Sequence, residues 1–197
     1  MLSSLVLLEV MDKEPTLADT WLLLLSIGTV RLASAQEGPH TPWTGEKGIT
    51  ELRPGNYVYF DRTQVALGAA SLDDCALTVM ATVVSKPSAG RIILDCGSKT
   101  LTNDQARGIT KAPGYGAVLA GWGDAPREVD ETLIIERLSE EHATVRVDGA
   151  TRLEPGDRVR VVPNHSCVVS NLVDLVRLVE GDRVVETIPV AARGRIT

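Results

Sequence analysis

The chain has 197 residues, 44% of them hydrophobic and 23% charged, and a formal net charge of -6. Those proportions suit one globular domain of about 150 residues with an attached segment, and they exclude collagen-like, disulfide-dense and intrinsically disordered chains. An acidic chain without blocks of Lys and Arg is a poor nucleic-acid binder, and no apolar run reaches the roughly 20 residues that span a bilayer, so neither nucleic acid nor membrane is expected as a partner.

The first residues differ in texture from the rest. Leu5 to Val10 is apolar, Asp12 to Asp19 acidic, and Trp21 to Val30 apolar again. Trp21 to Thr29 followed by Ala33-Ser34-Ala35 imitates a secretory core and its cleavage site. A signal peptide starts positive, however, and here Glu9, Asp12, Glu14 and Asp19 face Lys13 alone. A cytoplasmic location is therefore expected, with export as the alternative. The segment itself is expected to be irregular or helical, or a strand left over from a preceding domain. Glu37 to Gly48 is rich in Pro and Gly and reads as a linker, which divides the chain into an N-terminal segment, 1–48, and a main domain, 49–197.

The main domain reads as a series of strands separated by turns. Asn56 to Phe60 (NYVYF) is aromatic and β-branched, and Cys75 to Val84 is a longer apolar run. Arg91 to Cys96, Glu131 to Leu138, Ala143 to Asp148, Arg158 to Val162, Leu172 to Val179 and Arg183 to Val190 follow. Val145 and Val147 alternate with Thr144, Arg146 and Asp148, and Glu154-Pro155-Gly156-Asp157 has the form of a type II turn. About eight strands at this spacing predict a mainly β fold, a Greek-key-like barrel or sandwich. Thr102 to Asp130 is the one long interruption, with Pro113-Gly114-Tyr115-Gly116 and Gly121-Trp122-Gly123 building an irregular loop.

Three cysteines, Cys75, Cys96 and Cys167, cannot all pair within the chain, which suits a reducing compartment. Cys75 and Cys96 lie in apolar runs and read as small buried hydrophobes. The constellation with chemical promise is Pro163-Asn164-His165-Ser166-Cys167. In an extended segment residues i and i+2 share a face, so His165 and Cys167 could converge, and imidazole with thiolate suits zinc. Two ligands leave positions for water or substrate, as a catalytic zinc requires; the alternative is a pair of ordinary interior residues. Glu140-Glu141-His142 reads as a third ligand, an acid/base group or a solvated turn. Lys99 stands in polar surroundings that give no sign of the desolvation a Schiff-base lysine needs. No phosphate loop, dinucleotide fingerprint, GxSxG or HExxH is present.

Five segments, taken in order, resemble one family: Gly48 to Gly68 (GITELRPGNYVYFDRTQVALG), Asp95 to Asp104 (DCGSKTLTND), Leu138 to His142 (LSEEH), Pro163 to Asp174 (PNHSCVVSNLVD) and Pro189 to Arg195 (PVAARGR). Over residues 30 to 197 the chain is similar to the C-terminal β-domain of the D-threonine aldolase and D-serine dehydratase group. Those are pyridoxal-phosphate enzymes of alanine-racemase-like fold. The resemblance implies a subunit in which an N-terminal α/β barrel carries the cofactor on a lysine and the β-domain carries a divalent metal. The metal ligands it implies are His165 and Cys167, with zinc or another divalent ion polarising the substrate's β-oxygen.

The same resemblance gives Ser34, Gly38 and Thr41 as loose counterparts of the loop that holds the cofactor phosphate, with altered spacing. The chain is too short to contain the barrel, and no lysine stands in the family's Schiff-base context. It therefore resembles the metal-bearing half of a lyase for D-β-hydroxy amino acids, inactive unless a barrel, or a partner in a dimer, supplies the cofactor. The alternatives are a zinc- or ligand-binding module without turnover and a vestigial fragment.

Overall fold

The computed structural model describes residues 5–9, 56–105, 112–120 and 127–195. Nine strands are present among them: β1 (Leu5–Glu9), β2 (Leu77–Ser88), β3 (Arg91–Leu94), β4 (Ala117–Val118), β5 (Leu133–Leu138), β6 (Ala143–Val147), β7 (Arg158–Val162), β8 (Leu175–Glu180) and β9 (Arg183–Pro189). Three short helices interrupt them: α1 (Arg62–Ala66), α2 (Ser98–Leu101) and α3 (Ser166–Leu172). The fold is mainly β, as its alternating apolar runs predict.

The strands form a mixed sheet in the order β5-β6-β3-β2-β1-β8-β9, which branches at β2 and does not close on itself. β7 pairs with β2 and with β4 off this path. The first half of β2 (Leu77 to Thr82) pairs with β1 and β7, and its second half with β3. Register shifts at Val83, Ser85 and Ser88 mark the change of partner, the kind of bulge that bends a strand from one layer into another. All pairings are antiparallel except that of β1 with β8.

Leu77, Val79, Ala81 and Val83 alternate along β2 and meet Ile92, Leu94, Ile135, Val145, Val161 and Val169 in one core. The alternation expected in β6 holds, with Ala143, Val145 and Val147 buried and Arg146 exposed. Gly156 adopts φ 103 in the turn before β7, and Asp157 N–H donates to the Glu154 carbonyl at 3.0 Å. That is the closure the Pro-Gly pair predicts.

Three expectations are corrected. NYVYF is not a strand: Asn56–Val58 is a single 3-10 turn, and Phe60 takes φ 50. Asp61 then opens α1, its carboxylate accepting the Gln64 N–H at 3.1 Å. An Asp three residues before Gln is a helix-start signal, and it outweighs the β-propensity of the preceding aromatics. Residues 166–172 are helical, so β8 begins only at Leu175. Part of the long loop after Thr102 is ordered by β4 and by the Leu119–Val129 bridge.

The expected N-terminal remnant is described over residues 5–9, and there it is a strand. β1 lies between β2 and β8, with Val6 and Leu7 buried. The linker and the loop counterparts Ser34, Gly38 and Thr41 lie outside the described residues.

Candidate metal centre

The candidate site lies where β7 ends and α3 begins. Its framework is a cluster of buried polar groups that the local sequence alone does not announce. Asp61, fully buried, accepts from Asn56 Nδ2 at 2.7 Å and from the Ser166 N–H at 3.0 Å while capping α1. Ser166 Oγ donates to Asn56 Oδ1 at 2.9 Å. The Arg62 N–H donates to the Pro163 carbonyl at 3.0 Å, and Thr63 Oγ1 to the Asn164 carbonyl at 2.6 Å. The start of α1 thus holds residues 163 to 166 from one side.

Asn164 holds them from the other. Its buried amide donates to the carbonyls of Asp104 at 3.0 Å and Gly114 at 2.9 Å. Arg62 reaches the same loop, donating to Pro113 O at 2.6 Å and Gly116 O at 3.1 Å. Gly114 has φ +80, and a Cβ there would stand 2.5 Å from the Ile135 carbonyl, so this close loop requires glycine.

On this frame sit His165 and Cys167. They do not converge through an extended segment: His165 is the N-cap of α3, with φ -143 and ψ 99, and Cys167 is in its first turn. The two side chains leave from positions two apart at the start of that helix. His165 Nδ1 is 2.8 Å from Asp104 Oδ2. Cys167 and the Asp104 carboxylate together push the His165 pKa up to about 9, Cys167 having the larger effect, while burial opposes the shift.

Sequence reasoning missed Asp104, Asn164, Asp61 and Arg62. Only the DRTQ cap signature could have pointed to one of them, because the others gain their roles from contacts 50 or more residues away.

The other candidates do not join this site. Lys99 lies between Glu140 at 2.9 Å and Glu141 at 2.7 Å in an exposed cluster that holds its pKa above the usual lysine value. His142 is exposed in the turn between β5 and β6. Among the described residues no group of three or more His, Cys, Asp or Glu side chains is placed to hold a metal ion, so the turn 140–142 adds no third ligand there. The donor chemistry of the pair does fit a borderline-soft divalent cation: one imidazole and one thiol two residues apart, with a carboxylate on the imidazole Nδ1. Lys86 is bonded to Glu154 and Lys99 to two glutamates.

The fold is a branched, mainly β domain with an imidazole and a thiol side chain at one strand–helix junction. Residues 76–179 match the profile of the serine dehydratase domain family (D-ser_dehydrat), over half of the chain, and the chain belongs to that family. A Mycobacterium tuberculosis protein without an assigned function is 41% identical over 140 residues, covering 68% of this chain and 96% of that protein. The D-serine dehydratase of Dictyostelium discoideum is 27% identical over 79% of this chain and 40% of its own length. The D-threo-3-hydroxyaspartate dehydratase of a Delftia species is 34% identical over 61% of this chain and 33% of the enzyme.

Among solved structures, a histidine-to-alanine variant of D-threo-3-hydroxyaspartate dehydratase superposes with a TM-score of 0.62 at 28% identity, over 72% of this chain and 38% of the enzyme. A cysteine-to-alanine variant of the enzyme, solved in a metal-free form, gives 0.60 at 29% over 72% and 39%. The D-threonine aldolase of Filomicrobium marinum gives 0.57 at 28% over 78% and 38%. The chain thus spans roughly two fifths or less of the enzymes it matches, and nearly all of the mycobacterial protein.

Proposed function

We propose that this chain is the metal-bearing β-domain of a pyridoxal-phosphate-dependent lyase acting on D-β-hydroxy amino acids, with His165 and Cys167 as the protein's ligands to a divalent cation. The division at residues 48/49, a cytoplasmic location, and turnover only beside a barrel from another chain or a dimer partner belong to the same reading. The observation that carries it is the placement of His165 and Cys167 together at the start of α3, with Asp104 Oδ2 2.8 Å from His165 Nδ1. In the hydroxyaspartate dehydratase, the histidine and cysteine replaced in the two solved variants are two residues apart, as His165 and Cys167 are, and the cysteine variant was solved free of metal.

A divalent metal bound here would supply Lewis-acid polarisation of the substrate's β-oxygen. The chain's own residues would hold the cation through the His165 imidazole and the Cys167 sulfur, with Asp104 beside the ring.

A second reading, a zinc-binding module without turnover, is favoured by the mycobacterial relative, which matches this domain over 96% of its own length. One experiment addresses both. The purified chain is assayed for zinc content and, with pyridoxal phosphate added, for pyruvate release from D-serine. The expected result is about one zinc per chain, lost in the His165→Ala/Cys167→Ala double variant, and no pyruvate. Zinc retained by the double variant refutes the site. Pyruvate from the chain alone refutes its dependence on a barrel from elsewhere, and pyruvate only after a family barrel is supplied separates the lyase half from the binding module.

A further inference from the structure

We infer that Asp104 is a positioning residue for the His165–Cys167 pair, fixing the imidazole so that Nε2 is the nitrogen that meets the cation; this rests on the metal reading above. Asp104 Oδ2 lies 2.8 Å from His165 Nδ1. An ionised carboxylate only accepts, so Nδ1 carries the hydrogen and the lone pair left for a metal is on Nε2.

Distance alone would be weak support, because the two side chains are 39% and 38% exposed and a solvated ion pair contributes little. What sets this pair apart is how Asp104 is held. Thr102, at φ 66, turns the chain out of α2, and its hydroxyl accepts the Asp104 N–H at 3.0 Å. The Asp104 carbonyl accepts from Asn164 Nδ2 at 3.0 Å. Consecutive residues, Asn164 and His165, therefore grip the backbone and the side chain of the same aspartate. Asn164 is itself 1% exposed and tied to Gly114. Such an arrangement leaves the imidazole little rotational freedom, and a carboxylate on a ligand's outer nitrogen also strengthens the donor. Removing such a partner costs about 10- to 100-fold in metal affinity.

The test measures zinc affinity by competition with a chromophoric chelator for the unaltered chain, Asp104→Ala, Asp104→Asn and His165→Ala, alongside thermal melting of each protein without metal. Asp104→Ala is expected to bind zinc about 10- to 100-fold more weakly, with an unchanged metal-free melting temperature. Asp104→Asn, whose amide oxygen still accepts from Nδ1–H, is expected to recover part of the loss. If His165→Ala loses zinc and Asp104→Ala does not, the inference fails while the metal reading stands. If the unaltered chain and His165→Ala bind zinc equally, the metal reading fails and takes the inference with it. A loss in Asp104→Ala that comes with a lower metal-free melting temperature and no recovery in Asp104→Asn makes the role merely structural and also overturns the inference.

Discussion

At the scale of single residues, the candidate site depends on a carboxylate that touches neither donor. Asp61 caps α1 and at the same time accepts from the Asn56 amide and the Ser166 N–H, so one buried side chain fixes the start of α1 and the residue between His165 and Cys167. Replacing it with alanine removes a helix cap and strands two buried donors. Each unsatisfied donor costs about 1–3 kcal/mol and the cap about 1, so Asp61→Ala should destabilise the domain by roughly 3 kcal/mol or more. Urea denaturation checks this, with Asp61→Asn expected to fall between the variant and the unaltered chain. The sequence drew attention to His165 and Cys167 as a possible donor pair, with two ordinary interior residues as the alternative. Their local backbone was not legible. It runs through a helix N-cap, which depends on Asp61 and Asn164 from distant parts of the chain.

Among the elements, β1 has the largest consequence for its size. Among the described residues β8 pairs only with β1 and β9, so five N-terminal residues join the β8–β9 hairpin to the rest of the sheet. Val6 and Leu7 are buried in doing so. At about 1.5–3 kcal/mol per side chain, their loss is comparable with the lower end of the roughly 5–15 kcal/mol that stabilises a typical domain. Deleting residues 1–10 should therefore lower the urea midpoint and raise amide exchange across 175–189, and a peptide of sequence LVLLE added in excess should reverse part of both changes. Cleavage after Ala35 would likewise remove β1, which sets the secretory likeness of residues 21–35 against the architecture of the sheet. An apolar run at Leu5 to Val10 was visible in the sequence. Its place between β2 and β8 was not, since strand order is a property of pairing and not of pattern.

Across the whole molecule, the three thiols report on packing. Cys96 sits in the main core and Cys75 in a second cluster with Ala117, Leu119 and Val162, both fully buried. Burial, aided by neighbouring aspartates, pushes both thiols far above their usual pKa, whereas Cys167 is half-buried. In the native, metal-free protein iodoacetamide should modify Cys167 alone. Cys75 and Cys96 should react only as fast as the domain opens globally, which mass spectrometry after timed alkylation measures. Rapid modification of either would mean that the cluster around it opens locally.

Local sequence sufficed for the mainly β character, most strand positions, the turn at Gly156 and the burial of Cys75 and Cys96. Each of these follows from local periodicity, backbone preference or residue chemistry. Tertiary structure alone decided the helix at 166–172, the place of β1 in the sheet, and the convergence of Asp104, Asn164 and Asp61 on residues 163 to 167. The physical reason is that a buried polar group takes whatever partner the folded chain brings within hydrogen-bonding distance, and in this protein those partners lie up to 110 residues away.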